Sequence, residues 1–148
     1  MAAGLAIQES NLTAFADAFR ATAGKLLTRE DLEPHLRLDH ELALTELNVE
    51  LLRWHEMLQP FGNSNPQPLF LAREVAAAAA PRVVNDKHLI LNLRQQNACR
   101  RAIYFDGATH PLPPAPWDIA FSIRPDDYNG ERLVSVQVHA LRSASSNS

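Results

Sequence analysis

The sequence predicts an α+β chain, a short helical N-terminal segment followed by a five-stranded β-barrel. Three observations carry that prediction. Apolar residues recur at helical spacing up to about residue 58. Residues 60–68 are dense in turn formers. Beyond them, apolar and polar residues alternate with a period of two in several short stretches, each with one clear inward face. Short strands of this kind remove their edges by closing on themselves.

The elements follow in order. Leu5 to Ile7 reads as the end of a strand, after which Ser10 or Asn11 can cap a helix. Leu12, Phe15, Phe19, Ala23 and Leu26 form one apolar stripe of that helix, and Gly24 lies near its end. Leu36, Leu38 and Leu42 alternate with Arg37, Asp39 and Glu41 and predict a short half-buried strand. Thr45 is placed to cap a second helix with Leu47, Leu51, Trp54 and Leu58 on one face, stopped by Pro60. Leu69 to Val75 is the first barrel strand, and Ala76 to Ala80 reads as a loop or distorted strand before Pro81. Leu89, Leu91 and Leu93 mark the next strand, and a turn at Gln95 to Asn97 leads into Arg100 through Phe105. Ile119, Phe121 and Ile123 mark the fourth strand. An Asn129-Gly130 hairpin turn leads to Val134, Val136 and Val138 in the fifth. The expected organisation is a helical region over residues 1–59, a boundary turn at 60–68, a barrel at 69–142 and a disordered polar tail at 143–148. Trp54 and Trp117 are read as core residues.

Composition excludes several classes. The hydrophobic fraction of 46% and charged fraction of 21% are those of a folded globular chain. No apolar run approaches the ~20 residues of a membrane helix, and the N-terminus lacks the basic start and apolar core of a signal peptide. Cys99 is the single cysteine, so an internal disulfide is excluded and a reducing cytoplasm is the expected location. Net charge is −3, yet residues 1–66 carry 5 Lys/Arg against 10 Asp/Glu while residues 67–148 carry 9 against 7. A polyanion would therefore prefer the second half.

Catalytic material is sparse. His35, Asp39, His40 and Glu41 are the clustered metal-type residues, but Asp39 and His40 on a strand would face opposite ways, and a solvated strand is the better reading. Cys99 beside Arg100 and Arg101 has charges that could activate a thiol, although burial as a small apolar residue is its commoner fate. No Ser-His-Asp or Cys-His arrangement and no glycine-rich phosphate loop can be assembled.

Three segments carry a family resemblance. Pro60-Phe61-Gly62-Asn63-Ser64-Asn65-Pro66, following an apolar helix, resembles the Pro-Phe-Gly-x-Gly-Asn-Pro signature of bacterial RecJ, the single-strand-specific DNA exonuclease family. Tyr128-Asn129-Gly130-Glu131-Arg132 with Val134, Val136 and Val138 is similar to the last hairpin of the family's OB domain. Ala2-Ala3-Gly4-Leu5-Ala6-Ile7 is similar to the end of its Gly-Gly-His-x-x-Ala-Ala-Gly motif in the DHHA1 domain. There are departures. Ser64 stands where the family has glycine, at a turn position where a positive φ would strain it. Met1 replaces the Gly-Gly-His half of the DHHA1 motif, and the metal-binding DHH domain of the family has no counterpart here.

The resemblance implies the C-terminal part of a RecJ: a DHHA1 remnant and helical connector over 1–59 and an OB-type barrel over 69–142. It implies single-stranded DNA as partner, the RecJ catalytic core as a further partner, and no membrane. The implied activity is 5′→3′ single-strand-specific exonucleolysis in recombination and repair. The Mg²⁺ or Mn²⁺ it uses would be held in the missing catalytic domain, so no cofactor is expected in this chain and no hydrolysis by it alone. In OB folds the second and third strands form the usual oligonucleotide face. That directs attention to Arg94, Arg100 and Arg101 around one hairpin, with Lys87, His88 and Tyr104 nearby. With Ile103 and Phe105 inward, Arg100 and Tyr104 would point outward beside Arg94 and His88, giving phosphates a charge and bases a stacking surface. An ordinary solvated hairpin is the bland alternative. The competing functional class is a protein-interaction module, docking a nuclease core or repair partner through the acidic helical half or an exposed barrel edge. Salt separates them, because phosphate contacts weaken steeply with salt.

Overall fold

The computed structural model describes residues 4–32, 35–127 and 132–144. The chain divides into two compact units, residues 1–36 and 37–148.

In the first unit, residues 4–8 form no strand; a 3-10 turn at Glu9–Asn11 leads into helix α1, Leu12–Leu26. Asn11 occupies the cap position without a side-chain capping bond. Phe15 and Phe19, four residues apart, bring their rings to 5.8 Å. No residue of α1 is buried, and Leu12, Phe15 and Phe19 are exposed. After the helix, Thr28 and Asp31 cap each other. The Asp31 carboxylate accepts from the Thr28 backbone N–H and hydroxyl, and the Asp31 N–H donates to the Thr28 hydroxyl. The first two of these bonds hold the Asp31 pKa below the usual carboxylate value.

The second unit is an OB-type barrel with additions. Its strands are β1 His40–Glu41, β2 Phe70–Ala77, β3 Arg82–Val84, β4 His88–Gln95, β5 Ala98–Tyr104, β6 Trp117–Asp126 and β7 Leu133–Ser143; helix α2 spans Val49–Met57. The sheet order β1-β2-β6-β7-β5-β4-β3, with β2 pairing β4 as well, closes five strands into a ring. β5 and β7 run parallel and the other ring pairs are antiparallel. β1 lies on the outside of β2 and β3 on the outside of β4. The three-residue loop between β3 and β4, Asn85 to Lys87, carries Asn85 and Asp86 at positive φ (50° and 58°), a conformation that asparagine and aspartate adopt more readily than other non-glycine residues.

The interior is built by alternation. Leu89, Leu91 and Leu93 from β4, Ala98 and Ala102 from β5, and Val134, Val136 and Val138 from β7 are buried. Leu44, Leu47 and Leu52 join the same cluster. Asn48, not Thr45, caps α2, its side chain accepting from the Leu51 N–H at 2.8 Å. The buried line of the helix is Leu52 and His55, while Trp54 is 59% exposed, so of the two tryptophans only Trp117 is core. Of the predicted stripe, Leu47 is buried and Leu51 packs against the core, whereas Trp54 and Leu58 are exposed. Gln95 fastens the segment before α2 to the barrel: its Oε1 accepts from the Leu44 N–H at 2.6 Å and its Nε2 donates to the Arg73 carbonyl at 2.7 Å.

In the 60–66 turn, Gly62 and Asn65 exchange backbone hydrogen bonds, and Asn65 Nδ2 donates to the carbonyls of Leu58 and Pro60 at 2.8 and 3.1 Å. Ser64 is not among the positive-φ residues, so serine fits this position without strain. The Asn129-Gly130 turn and the end of the tail lie outside the described residues.

Buried His55 leads to a prediction. Its Nε2 has no hydrogen-bond partner among the described residues, its ring lies 5.1 Å from Phe61, and burial holds its pKa below the ordinary 6.5 despite the opposing charge of Glu56. The folded state thus binds this proton less readily than the unfolded chain. Stability is retained above about pH 6.5 and is lost as pH falls from there toward the folded-state pKa. Urea unfolding at pH 7.5 and 5.5 is expected to show this loss, and His55→Leu to show a smaller pH dependence. The remainder belongs in part to His139, whose pKa burial also lowers. An unchanged dependence in His55→Leu would remove His55 as the cause.

Candidate nucleic-acid interface

The register of β3, β4, β5, β7 and β6 decides which side chains share the barrel's outer surface. In β4 the residues opposite in sense to the buried leucines are His88, Ile90, Asn92 and Arg94. β4 and β5 pair Ile90 with Ile103, Asn92 with Arg101 and Arg94 with Cys99, and directly paired residues lie on one face. β7 adds Gln137 beside Ile103, and β3 adds Arg82 opposite Ile90. β6 adds Arg124, paired with Ser135, its guanidinium donating to Gln137 Oε1 at 3.3 Å. Four arginines, Arg82, Arg94, Arg101 and Arg124, therefore surround the half-buried Ile90 and Ile103 on one outer face. Arg82 and Arg94 are exposed and pair with no acid among the described residues, whereas Arg101 lies 3.5 Å from the Asp126 carboxylate. A shallow cavity of about 130 Å³ opens between Ile90, Arg101, Ile103, Asp126 and Ser135.

The six residues singled out in the sequence separate into three places. Arg94 and Arg101 lie on this face. Lys87 and His88 stand at its end: Lys87 is 3.8 Å from Asp106, and His88 Nδ1 accepts from the Asp106 N–H at 3.0 Å. Arg100 and Tyr104 point to the interior side, contrary to the expected alternation. Arg100 is half-buried and donates to the carbonyls of Leu47 and Cys99 at 2.6 and 2.9 Å. Tyr104 packs against the core, its ring covering Gly107, where a Cβ would come within 2.3 Å of it. The physical reason is the Gln96-Asn97 turn, which sets Gln95 opposite Ala98 and so turns the even residues of β5 inward. Small Ala102 fills the interior site opposite Leu91, and Ala98 the one opposite Gln95. The large Ile103 and Phe105, expected inside, lie outside. Phe105 is 42% exposed, with its ring at right angles to the His88 imidazole, centroids 5.2 Å apart. The aromatic group near this face is thus Phe105. Arg82 and Arg124 escaped the sequence reading, though Asn85-Asp86 between apolar runs was a legible turn that would have revealed β3.

Residues 38–140 match the family model described as the RecJ OB domain. The chain belongs to that family. It is 25% identical over 99 residues to the single-stranded-DNA-specific exonuclease RecJ of Bacillus subtilis (strain 168), covering 66% of this chain and 13% of the relative. Its fold matches crystal structures of RecJ from Thermus thermophilus. For the complex with Mg²⁺ the TM-score is 0.71 and the identity 23%, over 95% of this chain and 21% of the other. For the complex with Mn²⁺ the values are 0.70 and 24%, over 96% and 20%. The chain therefore spans well under two thirds of each relative.

The cations named for the Thermus proteins do not fit the described residues, among which no three His, Cys, Asp or Glu side chains converge. Asp39 instead accepts from the Leu69 N–H at 3.0 Å, and Glu41 pairs with Arg73. No helix among the described residues is long and apolar enough to cross a membrane.

Proposed function

We propose that this chain is a single-stranded DNA-binding region of a RecJ-like exonuclease, holding the strand on the outer face of β4 and β5. The observation that carries the reading is the grouping of Arg82, Arg94, Arg101 and Arg124 around Ile90 and Ile103, next to the exposed Phe105. Guanidinium groups suit phosphates, and exposed apolar and aromatic side chains suit unstacked bases. The B. subtilis relative's specificity for single-stranded DNA supports the choice of ligand. Phosphodiester hydrolysis, with Mg²⁺ or Mn²⁺, is assigned to parts of RecJ outside these residues. Because the contacts are to backbone and ring faces, binding is nearly independent of sequence.

Titration of labelled oligonucleotides at several salt concentrations tests this. Each phosphate contact adds roughly 0.7 to the slope of log affinity against log salt, so four arginines give a slope near about −3. Arg82→Ala with Arg94→Ala is expected to reduce it to about −1.5 without changing the melting temperature. The face is not the site if the parent shows no salt-sensitive binding, or if the double variant keeps the parent's slope.

A second reading, docking onto the RecJ catalytic core, is favoured by the exposed apolar stripe Leu12, Phe15 and Phe19 of α1. Such a contact would persist at high salt, where phosphate contacts fail.

A further inference from the structure

We propose that the cavity beyond the end of β5 receives one unstacked base of the bound strand, stacked on Phe105. The proposal rests on the nucleic-acid reading of the neighbouring face. The cavity measures about 390 Å³, within the range of small-ligand sites. It lies between Phe105, Thr109, His110, Leu112, His139 and Leu141. Phe105 follows directly on β5, whose Arg101 and Ile103 belong to the arginine-bearing face, so a strand crossing that face reaches the cavity next.

Its chemistry selects a base over a phosphate. No lysine or arginine lines it, and Asp106 does. A phosphate there would meet the Asp106 carboxylate, and Lys87, 3.8 Å from that carboxylate, already pairs with it. A neutral planar heterocycle would bury its faces against Phe105, Leu112 and Leu141, while Thr109, His110 and His139 offer hydrogen bonds to its edges.

The walls are fixed in advance, which lowers the cost of binding. Trp117 Nε1 donates to the Pro113 carbonyl and the Ser143 hydroxyl to that of Pro114, each at 2.8 Å. The Thr109 hydroxyl donates to the Asp106 carbonyl at 2.6 Å. Tyr104, packed over Gly107, closes the floor. His139 Nε2 is 2.9 Å from the hydroxyl of buried Ser122.

The test compares oligo(dT) with an abasic oligonucleotide of equal length and charge, at one low salt concentration, using the full chain. Parent, Phe105→Ala and Phe105→Trp are titrated with both. The parent is expected to prefer oligo(dT), and Phe105→Ala to reduce that preference at least about fivefold, the weakest effect of one lost stacking contact. Phe105→Trp should restore it, and the salt slope should be the same in all three. Phe105 is exposed, so its truncation leaves the core intact. If Phe105→Ala weakens both oligonucleotides equally, or neither, the pocket holds no base while the arginine face stands. If the parent binds neither oligonucleotide in a salt-sensitive way, the face reading falls and the pocket with it.

Discussion

Truncating Phe121 to alanine is expected to destabilise the barrel by about 3–5 kcal/mol, the range for a fully buried phenylalanine whose cavity cannot collapse. Phe121 is the largest fully buried side chain among the described residues and sits on β6, which is buried along its length from Trp117 to Ile123. β6 pairs with β2 on one side and β7 on the other, so neither neighbour can close in without breaking register. The Phe121 ring lies 5.7 Å from that of Phe70, its partner across β2, and this contact is lost as well. A domain of this size is stable by roughly 5–15 kcal/mol, so the variant would lose a large share of that. Urea unfolding followed by tryptophan fluorescence measures the effect. Leu133→Ala, at a residue 49% exposed, serves as the control and should change stability by less than about 0.5 kcal/mol. A Phe121→Ala loss no larger than the control's would mean that the ring is not held in a close-packed interior.

The barrel was legible because its interior strands state their period plainly. Leu89-Ile90-Leu91-Asn92-Leu93-Arg94 and Val134-Ser135-Val136-Gln137-Val138 each put the buried set on one parity, and the structure buries those parities. β5 was legible as a strand but not in its facing. Its interior positions are Ala98 and Ala102, while its conspicuous apolar residues, Ile103 and Phe105, lie outside, so hydrophobicity pointed to the wrong face. Only the hairpin register, a non-local fact, corrects it, and with it the placement of Arg100 and Tyr104. β1 was overestimated for a related reason. Leu36 and Leu38 alternate with charged residues yet stay exposed, and pairing with β2 extends only over His40 and Glu41. The four-arginine face was legible at Arg94 and Arg101, which flank the turn. At Arg82 the signal was indirect, the Asn85-Asp86 turn that sets β3 against β4, and Arg124 was not legible, since it reaches the face from β6 through a pairing that no local pattern states.

Removing Arg73 and Arg142 together is expected to cost about 3–5 kcal/mol, because it leaves a buried carboxylate without compensation. Asp118 has a side chain only 4% exposed, and its carboxylate lies 3.3 Å from Arg142 and 3.7 Å from Arg73. Arg73 in turn takes Glu41 at 2.9 Å, and that hydrogen bond raises the guanidinium pKa above its ordinary value. The charges alternate in sign across four strands, Glu41 on β1, Arg73 on β2, Asp118 on β6 and Arg142 on β7. The two arginines are themselves half or more exposed, so their own desolvation is small and the cost of the pairing rests on Asp118. Arg73→Met with Arg142→Met keeps the aliphatic stems that cover the carboxylate and removes the positive charge. Adding Asp118→Asn to that double variant should recover most of the loss, since a neutral amide needs no counter-charge, and this coupling separates charge from packing. An exposed ion pair would contribute no more than about 1 kcal/mol and would fade in high salt, whereas a buried carboxylate is screened far less. A double variant that loses under about 1 kcal/mol, or one that Asp118→Asn does not rescue, would show that Asp118 is solvated well enough to need neither arginine.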